Sequence, residues 1–453
     1  MVVAVIVLFI GVSIPSTGSV MELSSTASFD GKILYVGGSG EGNYTKIQDA
    51  IDNASDGDTV FVYKGIYIEN LVVNKSIRLL GEDRNSTIIN NDKKGNVMHI
   101  LVDGVTITEF TLQNSSNEFN FAGIKITSNY NIISNNIILN NSGWPHIKSD
   151  GIILEGSSYN NISGNTIFHN WDGIWLYYSN HNIVTGNIIF NNIHGIELSN
   201  SYYNIISGNF FPNNDNNNIL IEKECDNCVI VNNTMSESCE AIGSLWPSNN
   251  ITIIGNEIKN SSKAVWIKGN YWNVSHNKII ECSTGISLYS GSFTTISHNK
   301  ISKCTFGVSH DEGSNNNFSY NILSENKKGV SISNTGKQNH VFYNEFRDNE
   351  EGIFASLSTD NVKIKYNNFI NNKKHIIFSQ FLPFRFHRFL NPIFDSNFYD
   401  DWKGRGPEVL VGTSILFVFP IFFPDLFFFL IPISIPWLYF DWHPAQEPYN
   451  IEV

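Results

Sequence analysis

The stretch "SDGIILEGSSYNNISGNTIFHNWDGIWLYYSNHNIVTGNIIFNNIHGIELSN", residues 149–200, contains nearly the same phrase three times. Each copy includes a short alternating segment that opens on a polar residue followed by Gly. These opening residues are Asp150, Asp172 and His194, spaced 22 residues apart. A fixed period in this range predicts a solenoid, in which each repeat packs only on its neighbours.

The period extends well beyond this stretch, because an Asn recurs at one position of the repeat. Successive copies are 21 to 24 residues apart, except for a first spacing of 29. Asn tolerates left-handed backbone at a corner, and its amide can bond to the amides above and below. These Asn residues are therefore predicted to be structural. They are Asn136, Asn165, Asn187, Asn209, Asn233, Asn256, Asn277, Asn299, Asn321, Asn344 and Asn367.

Within one repeat the apolar residues alternate instead of recurring at helical spacing. In "NTIFHNWDGIWLYYS", residues 165–179, Ile174 and Leu176 share one face while Trp175 and Tyr177 share the other. Gly173 is expected to permit a bend. Short alternating strands divided by Asn and Gly predict an all-β fold, a parallel β-helix of about 12 coils.

Composition shifts divide the chain into four segments. Residues 1–28 are expected to be a signal peptide or N-terminal membrane anchor, and residues 29–100 an N-terminal cap with the first coils. Residues 101–378 hold the repeats of about 22 residues. Residues 379–453 form an aromatic and Pro-rich segment, expected to be an irregular C-terminal arm.

Both ends are expected to be capped, because an open strand edge invites aggregation. At the N-terminal end a short amphipathic helix is predicted, with Ile47, Ala50 and Ile51 on its inner face. Thr45 and Gln48 have the spacing of a capping box. At the other end, the apolar residues 412–440 are interrupted by prolines. This pattern indicates an arm that folds back along the rod or covers its last turn, and it argues against insertion into a membrane.

Charge and Cys content exclude several classes of function. The 29 basic and 42 acidic residues give a net charge of −13 without a basic cluster, so no nucleic-acid partner is expected. Five Cys residues do not make a disulfide framework, and the single CxxC at Cys225 and Cys228 does not predict a zinc site. Twelve Asn-X-Ser/Thr sequons agree with export and glycosylation.

The candidate catalytic residues are Asp150, Asp172 and His194, which share one position of successive turns. The same position varies in later turns, as expected of a solvated corner. Two stacked carboxylates about 5 Å apart repel unless a cation, a proton or a sugar hydroxyl lies between them. No metal site is predicted, although a cation such as calcium would fit there. A second group, His310, Asp311 and Glu312, is expected at a solvated turn.

Aromatic residues are dense around these positions. Trp144, His146, Trp171, Trp175 and Tyr177 are the candidate substrate-binding residues, with Trp144 and His146 on the insertion that lengthens one repeat. An outward row of Trp and Tyr offers flat faces on which sugar rings stack. Alternatively, such residues stack on one another and stabilise the rod.

The repeats resemble right-handed parallel β-helix proteins of the pectin-lyase-like superfamily, and most closely the NosD-type (periplasmic copper-binding) family. The resemblance covers roughly residues 33–378. It rests on "YTKIQDAIDNASDGDTVFVYKGIYIENLVVNKSIRLLGE" and "NNISGNTIFHNWDGIWL". The closing "FDWHPAQEPYNI" is similar to a tail of archaeal members. The resemblance implies a β-helical surface protein. The copper description in the family name has little support in the sequence, because the chain has only four Met residues and no His-rich tract.

Three functional hypotheses follow. The first is an exported extracellular or cell-surface protein that binds a polysaccharide or glycan through the aromatic face of its early coils. The second is a polysaccharide-active lyase, hydrolase or epimerase that uses Asp150, Asp172 and His194. The third is a structural surface rod. Membrane association is expected, if at all, through the N-terminal segment or the apolar C-terminal arm.

Overall fold

Three long sheets wrap around one axis to form a right-handed parallel β-helix. The computed structural model describes residues 31–141, 149–333, 338–356, 362–382, 393–403, 408–418, 431–441 and 443–453. Each coil contributes one strand to each sheet, and strands of successive coils pair in parallel. We call the sheets A, B and C, and the chain visits them in the order C, A, B.

The strands of sheets A and B are mostly three or four residues long, whereas those of sheet C are usually longer. Sheet A consists of Ile33–Val36, Thr59–Val62, Arg78–Gly81, Thr106–Thr108, Ile132–Ser134, Asn161–Ser163, Ile183–Thr185, Ile205–Ser207, Val229–Val231, Thr252–Ile254, Asn273–Ser275, Thr295–Ser297, Asn317–Ser319, His340–Phe342, Lys363–Lys365 and Ile393–Asp395. Sheet B consists of Gly65–Ile68, Thr87–Asn90, Thr111–Gln113, Ile137–Leu139, Thr166–Phe168, Ile188–Phe190, Phe210–Phe211, Thr234–Ser236, Glu257–Lys259, Lys278–Ile280, Lys300–Ser302, Ile322–Ser324, Glu345–Arg347, Asn368–Ile370 and Phe398–Tyr399. Sheet C consists of Leu71–Val73, Met98–Ile100, Ala122–Ile126, Asp150–Glu155, Asp172–Tyr177, His194–Ser199, Asn217–Lys223, Glu240–Ser244, Lys263–Lys268, Thr284–Ser290, Phe306–Glu312, Lys328–Ser333, Glu351–Ser356, Lys374–Leu382, Glu408–Val418 and Ile431–Asp441.

The core is a column of aliphatic side chains along the axis. Ile152, Ile174 and Ile196 stack on one another from successive strands of sheet C, and all are fully buried. Each such side chain contributes roughly 1.5–3 kcal/mol by leaving water. The structure has about 14 turns, slightly more than the predicted 12, because further coils precede the first repeated Asn and follow the last.

The repeated Asn residues form one buried ladder at the corner between sheets A and B. At a typical rung, the backbone N–H and Nδ2 of Asn233 both donate to Oδ1 of Asn256, over 2.9 and 3.0 Å. Nδ2 of Asn256 donates in turn to Asn277 and to two backbone carbonyls. The predicted stacking is confirmed, and Asn397 adds a further rung.

The left-handed backbone belongs to the residue before each ladder Asn, which corrects the sequence-based expectation. Gly186 and His298 have φ of 64° and 56°, whereas Asn187 and Asn299, which follow them, do not have positive φ. The ladder Asn must point its amide into the wall of the solenoid. The reversal of the chain therefore falls on the residue before it.

The N-terminal end is capped by the predicted helix, Ile47–Asn53, whose residues Ile47, Ala50 and Ile51 are fully buried. The predicted capping box is wrong, because the N-cap residue is Lys46 and makes no side-chain cap bond. Instead, the carboxylate of Glu69 accepts from the backbone N–H groups of Ile47 and Gln48 at 2.9 and 3.0 Å. A capping residue 22 positions downstream leaves no local pattern in the sequence.

The C-terminal arm is more regular than expected where it is described. Glu408–Val418 adds in parallel to Lys374–Leu382, and Ile431–Asp441 then pairs with it antiparallel. Both are 11-residue strands that extend sheet C over the last coil. Residues 419–430 of the apolar segment lie outside the described residues. Within the described ranges, no helix is both long and apolar enough to cross a membrane.

A ladder substitution should be costly. Asn256→Ala removes the acceptor of two donors and the donor to three acceptors, and four of these five hydrogen bonds are buried. We expect a loss of roughly 3–5 kcal/mol in the free energy of unfolding, measured by chemical denaturation. Asn213→Ala is the matched control, because Asn213 makes an exposed side-chain bond to Asn191. A similar cost for both variants would contradict a structural role of the ladder.

His310 lies in the core and not at a solvated turn, so that expectation was wrong. It pairs with Leu288 and Ile332 in sheet C, points inward with them, and is fully buried. Its ring lies edge-on to Phe318, and Nε2 is 3.2 Å from Nδ2 of Asn316. Burial lowers the pKa of His310 from its usual 6.5 to about 4.

This shift predicts a pH-dependent stability. Because the folded-state pKa is depressed, the unfolded chain takes up a proton between pH 6.5 and about 4 that the folded chain does not. The contribution is complete above pH 6.5, and about 3 kcal/mol of it is lost as the pH falls to 4. His310→Leu should lack this component in denaturation curves recorded from pH 7 to 4. Parallel pH profiles for variant and wild type would refute it.

Candidate functional site

Sheet C carries the predicted catalytic residues on three neighbouring strands. Asp172 pairs directly with His194, and Oδ1 of Asp150 accepts from the backbone N–H of Asp172 at 3.0 Å. The expected solvated corner is wrong, because these side chains are only 3%, 4% and 9% exposed. The Asp150 carboxylate bonds to the backbone of the next coil and not to solvent alone.

A carboxylate that the sequence analysis did not single out completes the group. Glu197 lies three residues after His194 on the same strand. One ligand atom each from Asp172, His194 and Glu197 lie within 4.8 Å of one another. We call these three residues the polar triad. Two carboxylates and an imidazole at this distance can bind a cation or exchange a proton with a bound hydroxyl.

An aromatic cluster lies next to the polar triad. Trp175 pairs with Glu197 across the sheet, and its ring centroid is 4.9 Å from that of Tyr177 and 6.0 Å from that of Phe119. Tyr178 lies edge-on to Tyr177 at 4.6 Å. The rings of Phe119 and Tyr178 are exposed, whereas Trp175 and Tyr177 are half-buried. We call these four residues the aromatic cluster.

Hydrogen bonds fix the orientation of the cluster. The indole Nε1 of Trp175 donates to Oγ of Ser199 at 3.5 Å, and this hydroxyl also contacts the carboxylates of Glu197 and Glu222. Trp175 is therefore connected to the polar triad through one serine. The site combines a partly exposed aromatic surface with acidic oxygens a few ångströms away.

Of the remaining predicted residues, one is described and two are not. Trp171 is half-buried and precedes Asp172. Trp144 and His146 lie outside the described residues. Sequence reasoning missed Phe119, Glu197 and Glu222. Phe119 stands in an aperiodic connection, whereas the acidic residues follow the strand alternation and could have been found from it.

Other outward aromatic residues stack on one another in a row. Tyr130, Tyr159, His181 and Tyr203 form a row at the corner between sheets C and A, with centroids 5.0–5.1 Å apart and nearly parallel rings. In such a row the ring faces cover each other, so a sugar cannot stack on them except at the ends. The aromatic cluster differs because its rings are tilted and its outer members are open.

An ion pair bounds the site towards the N-terminal end. Lys125 Nζ lies 2.7 Å from Glu155, which pairs with Tyr177 on the next strand. Burial, and next the charge of Lys125, lower the pKa of His99 in the adjacent coil, while Glu155 opposes this. The lowered pKa favours the neutral form of His99.

The chain belongs to a known family of β-helix proteins. Residues 51–227 and 216–381 match the family described as periplasmic copper-binding protein (NosD), which confirms the resemblance based on the repeats. No curated protein sequence matches the chain.

Among solved structures, the chain is similar to an alginate lyase from Paenibacillus sp. str. FPU-7, with 15% identity and a TM-score of 0.44, over 55% of this chain and 95% of that one. It is similar to XylC in complex with xylose, with 10% identity and a TM-score of 0.49, over 75% and 86%. It is also similar to PfbA, a surface adhesin of Streptococcus pneumoniae, with 14% identity and a TM-score of 0.43, over 73% and 87%.

The donor groups of the described residues do not fit a copper site. The two groups with three candidate ligands, the polar triad and His375 with Asp400 and Asp401, each offer one imidazole and two carboxylates. Copper prefers several imidazole or sulfur ligands. Met98 and Met235 are fully buried in the core. Burial raises the pKa of the Cys225 and Cys228 thiols to about 12, which keeps them protonated.

Gly173 permits close approach between coils and not a bend, which corrects the expectation from the sequence. Its φ is not in the left-handed region. A Cβ at this position would lie 2.5 Å from the carbonyl oxygen of Gly195 and 2.7 Å from Cγ2 of Ile189. The glycine therefore holds the strand that carries Asp172 and Trp175 tightly against the next coil.

Gly173→Ala should consequently displace this strand. We expect a loss of roughly 2–3 kcal/mol in the free energy of unfolding, because both neighbours are packed against the core. Gly186→Asn is the control, since Gly186 has left-handed backbone that Asn accepts and a Cβ there meets nothing within 4 Å. Thermal and chemical unfolding measure both. An alanine variant as stable as wild type would refute the close-approach argument.

Proposed function

We propose that this exported β-helix binds a polysaccharide or glycan through the aromatic cluster and the polar triad on the early coils of sheet C. The observation that carries the proposal is the contact between Trp175 and Ser199, which brings an aromatic platform and acidic oxygens together. Sugar rings stack on tilted aromatic faces, and their hydroxyls donate to carboxylates. The exposed and half-buried rings of the aromatic cluster form an apolar surface that such a ligand can cover.

The proposed location is the cell surface or the extracellular space. The family is described as periplasmic, in agreement with an exported, non-cytoplasmic protein. Membrane association through residues 1–28 remains part of the proposal, and those residues lie outside the described part of the chain. The other proposed route is the apolar arm, residues 412–440, of which residues 419–430 also lie outside the described part.

A second candidate function is a polysaccharide-active lyase, hydrolase or epimerase. It is favoured by one observation, namely that Asp172, His194 and Glu197 lie close enough to share a proton or a cation such as calcium. In this function Asp172 or Asp150 would act as acid or cation ligand, and His194 as base.

The structural-rod hypothesis is supported by the stacked rows at the corners.

A glycan-array assay on the full chain, followed by titration of each bound glycan, tests the proposal. Trp175→Ala combined with Tyr177→Ala should weaken binding at least tenfold, because it removes the platform. Tyr130→Ala combined with Tyr203→Ala removes two corner rings and should leave affinity unchanged. The proposal fails if the first pair has no effect on a bound glycan, or if the wild type binds no glycan.

The same assay separates binding from turnover. Asp172→Asn keeps an acceptor oxygen in the polar triad, so it should weaken binding far less than the loss of Trp175 and Tyr177 if the protein only binds. If the protein is an enzyme, the wild type will shorten or modify the glycan during incubation, and Asp172→Asn will lower this rate sharply. Mass spectrometry of the incubated glycan distinguishes the two functions.

A further inference from the structure

A column of residues at the corner between sheets B and C changes its chemistry halfway along the solenoid. Each member follows a ladder Asn of the corner between sheets A and B by five residues. In the early coils this residue is an Asn whose amide bonds to the next coil, as from Asn170 to Asn192. In four later coils it is instead Ser238, Ser261, Cys282 and Cys304. The amides resume at Asn326, which accepts from the backbone N–H of Cys304 at 2.9 Å.

The two cysteines of this column, Cys282 and Cys304, lie opposite each other in neighbouring coils. The residues two positions before them pair with each other, and so do the residues two positions after them. Because the register is the same on both sides, one coil step separates the two Cα atoms, or roughly 4.8 Å. A disulfide requires Cα atoms about 4.4–6.8 Å apart. The coil spacing therefore fits a covalent bond between the two residues.

The two side chains point the same way, into the wall of the solenoid. The residues before them, Glu281 and Lys303, both have φ of 58°, so the corner has the same backbone shape in both coils. Each cysteine is only 3% exposed. Each thiol donates to the carbonyl oxygen two residues before it, at 3.5 Å for Cys282 and 3.3 Å for Cys304. A hydrogen bond between the two thiols lowers the pKa of Cys282 and raises the pKa of Cys304.

Stacking distinguishes this pair from the other three cysteines. In the next coil Ser248 stands opposite Cys225, and Ser262 stands opposite Cys239. Cys228 likewise faces an isoleucine of the next coil. These three cysteines therefore do not have a cysteine as their counterpart one coil later, whereas Cys282 does.

We propose that Cys282 and Cys304 form a disulfide that joins two neighbouring coils. The bond takes the place that amide hydrogen bonds hold in the early and late coils of this corner. It closes a loop between cysteines 22 residues apart, and it stabilises the middle of the solenoid because it restricts the unfolded chain. The proposal needs an oxidising compartment, in agreement with an exported protein, and it does not depend on glycan binding.

Formation of the bond requires an oxidant that accepts two electrons, and a small disulfide compound such as oxidised glutathione is one. The thiolate of Cys282 attacks one sulfur of the oxidant, forms a mixed disulfide and releases one thiolate. The thiolate of Cys304 then attacks the Cys282 sulfur, which forms the bond between the coils and releases the second thiolate. The two cysteine protons pass to the released thiolates, so the oxidant leaves as two thiols. Because both cysteines are buried in the folded chain, the exchange takes place while the coils assemble.

Peptide mapping of the full chain tests the proposal. The chain is exported to a bacterial periplasm, alkylated in denaturant without a reductant, and digested with trypsin. Cleavage after Lys278, Lys300 and Lys303 places the two cysteines on separate peptides. Mass spectrometry should detect residues 279–300 joined to the peptide that begins at Cys304, and a reductant should separate them. Alkylation of both cysteines in a folded protein, or a bond from either one to a different cysteine, would overturn the proposal.

Variants test what the bond does for the fold. Reduction should lower the unfolding temperature of the wild type by a few degrees, because it frees the closed loop. Cys282→Ser and Cys304→Ser should each lack the joined peptides, and reduction should leave their unfolding temperatures unchanged. Cys239→Ser is the matched control, because Cys239 is exposed, and it should keep both the joined peptides and the sensitivity to reduction. An equal effect of reduction on the wild type and on Cys282→Ser would show that the stabilisation comes from elsewhere and would overturn the proposed role.

Discussion

The structure depends on one interaction, the amide ladder that runs through the corner between sheets A and B. Each rung satisfies a backbone N–H, two backbone carbonyls and the amide of the neighbouring coil. A corner of a solenoid interrupts the sheet ladders, so its backbone groups would otherwise be buried without partners. Further Asn rungs at the other two corners, such as Asn160 to Asn182 and Asn170 to Asn192, serve the same purpose.

The ladder has a direction, and this direction explains its two ends. Every ladder Asn donates to the amide oxygen of the next coil, so the first amide oxygen needs a donor before it and the last Asn needs an acceptor after it. The backbone N–H of Phe110 supplies the first contact, to Asn136. The carboxylate of Asp441 accepts both donors of Asn397 and is fully buried. A carboxylate suits this place because the aligned amides point their positive ends at it.

Because the ladder and the aliphatic column hold each coil, the outer face of sheet C can vary without loss of the fold. The same strand position is Asp172 in one coil, His194 in the next and Lys263 further along. The central outward column likewise changes from Trp175 and Glu197 to Trp266 and then to serines. The outward side chains of sheet C therefore differ from one coil to the next, and they stand on strands that are longer than those of sheets A and B.

The sequence by itself determined the period, the alternation and the capping helix, since these follow from contacts between a residue and its counterpart one coil later. It also identified Asp172, His194 and Trp175 as neighbours, because equal positions in successive coils must stack. Only the tertiary structure decided that the carboxylates are buried, that Glu69 caps the helix and that Asp441 ends the ladder. It also decided that Gly173 allows two neighbouring coils to approach closely, because a Cβ there would clash. These features depend on how closely neighbouring coils pack and cover a position, or they join a residue to a cap at the end of the solenoid, where no repeated phrase marks the partner.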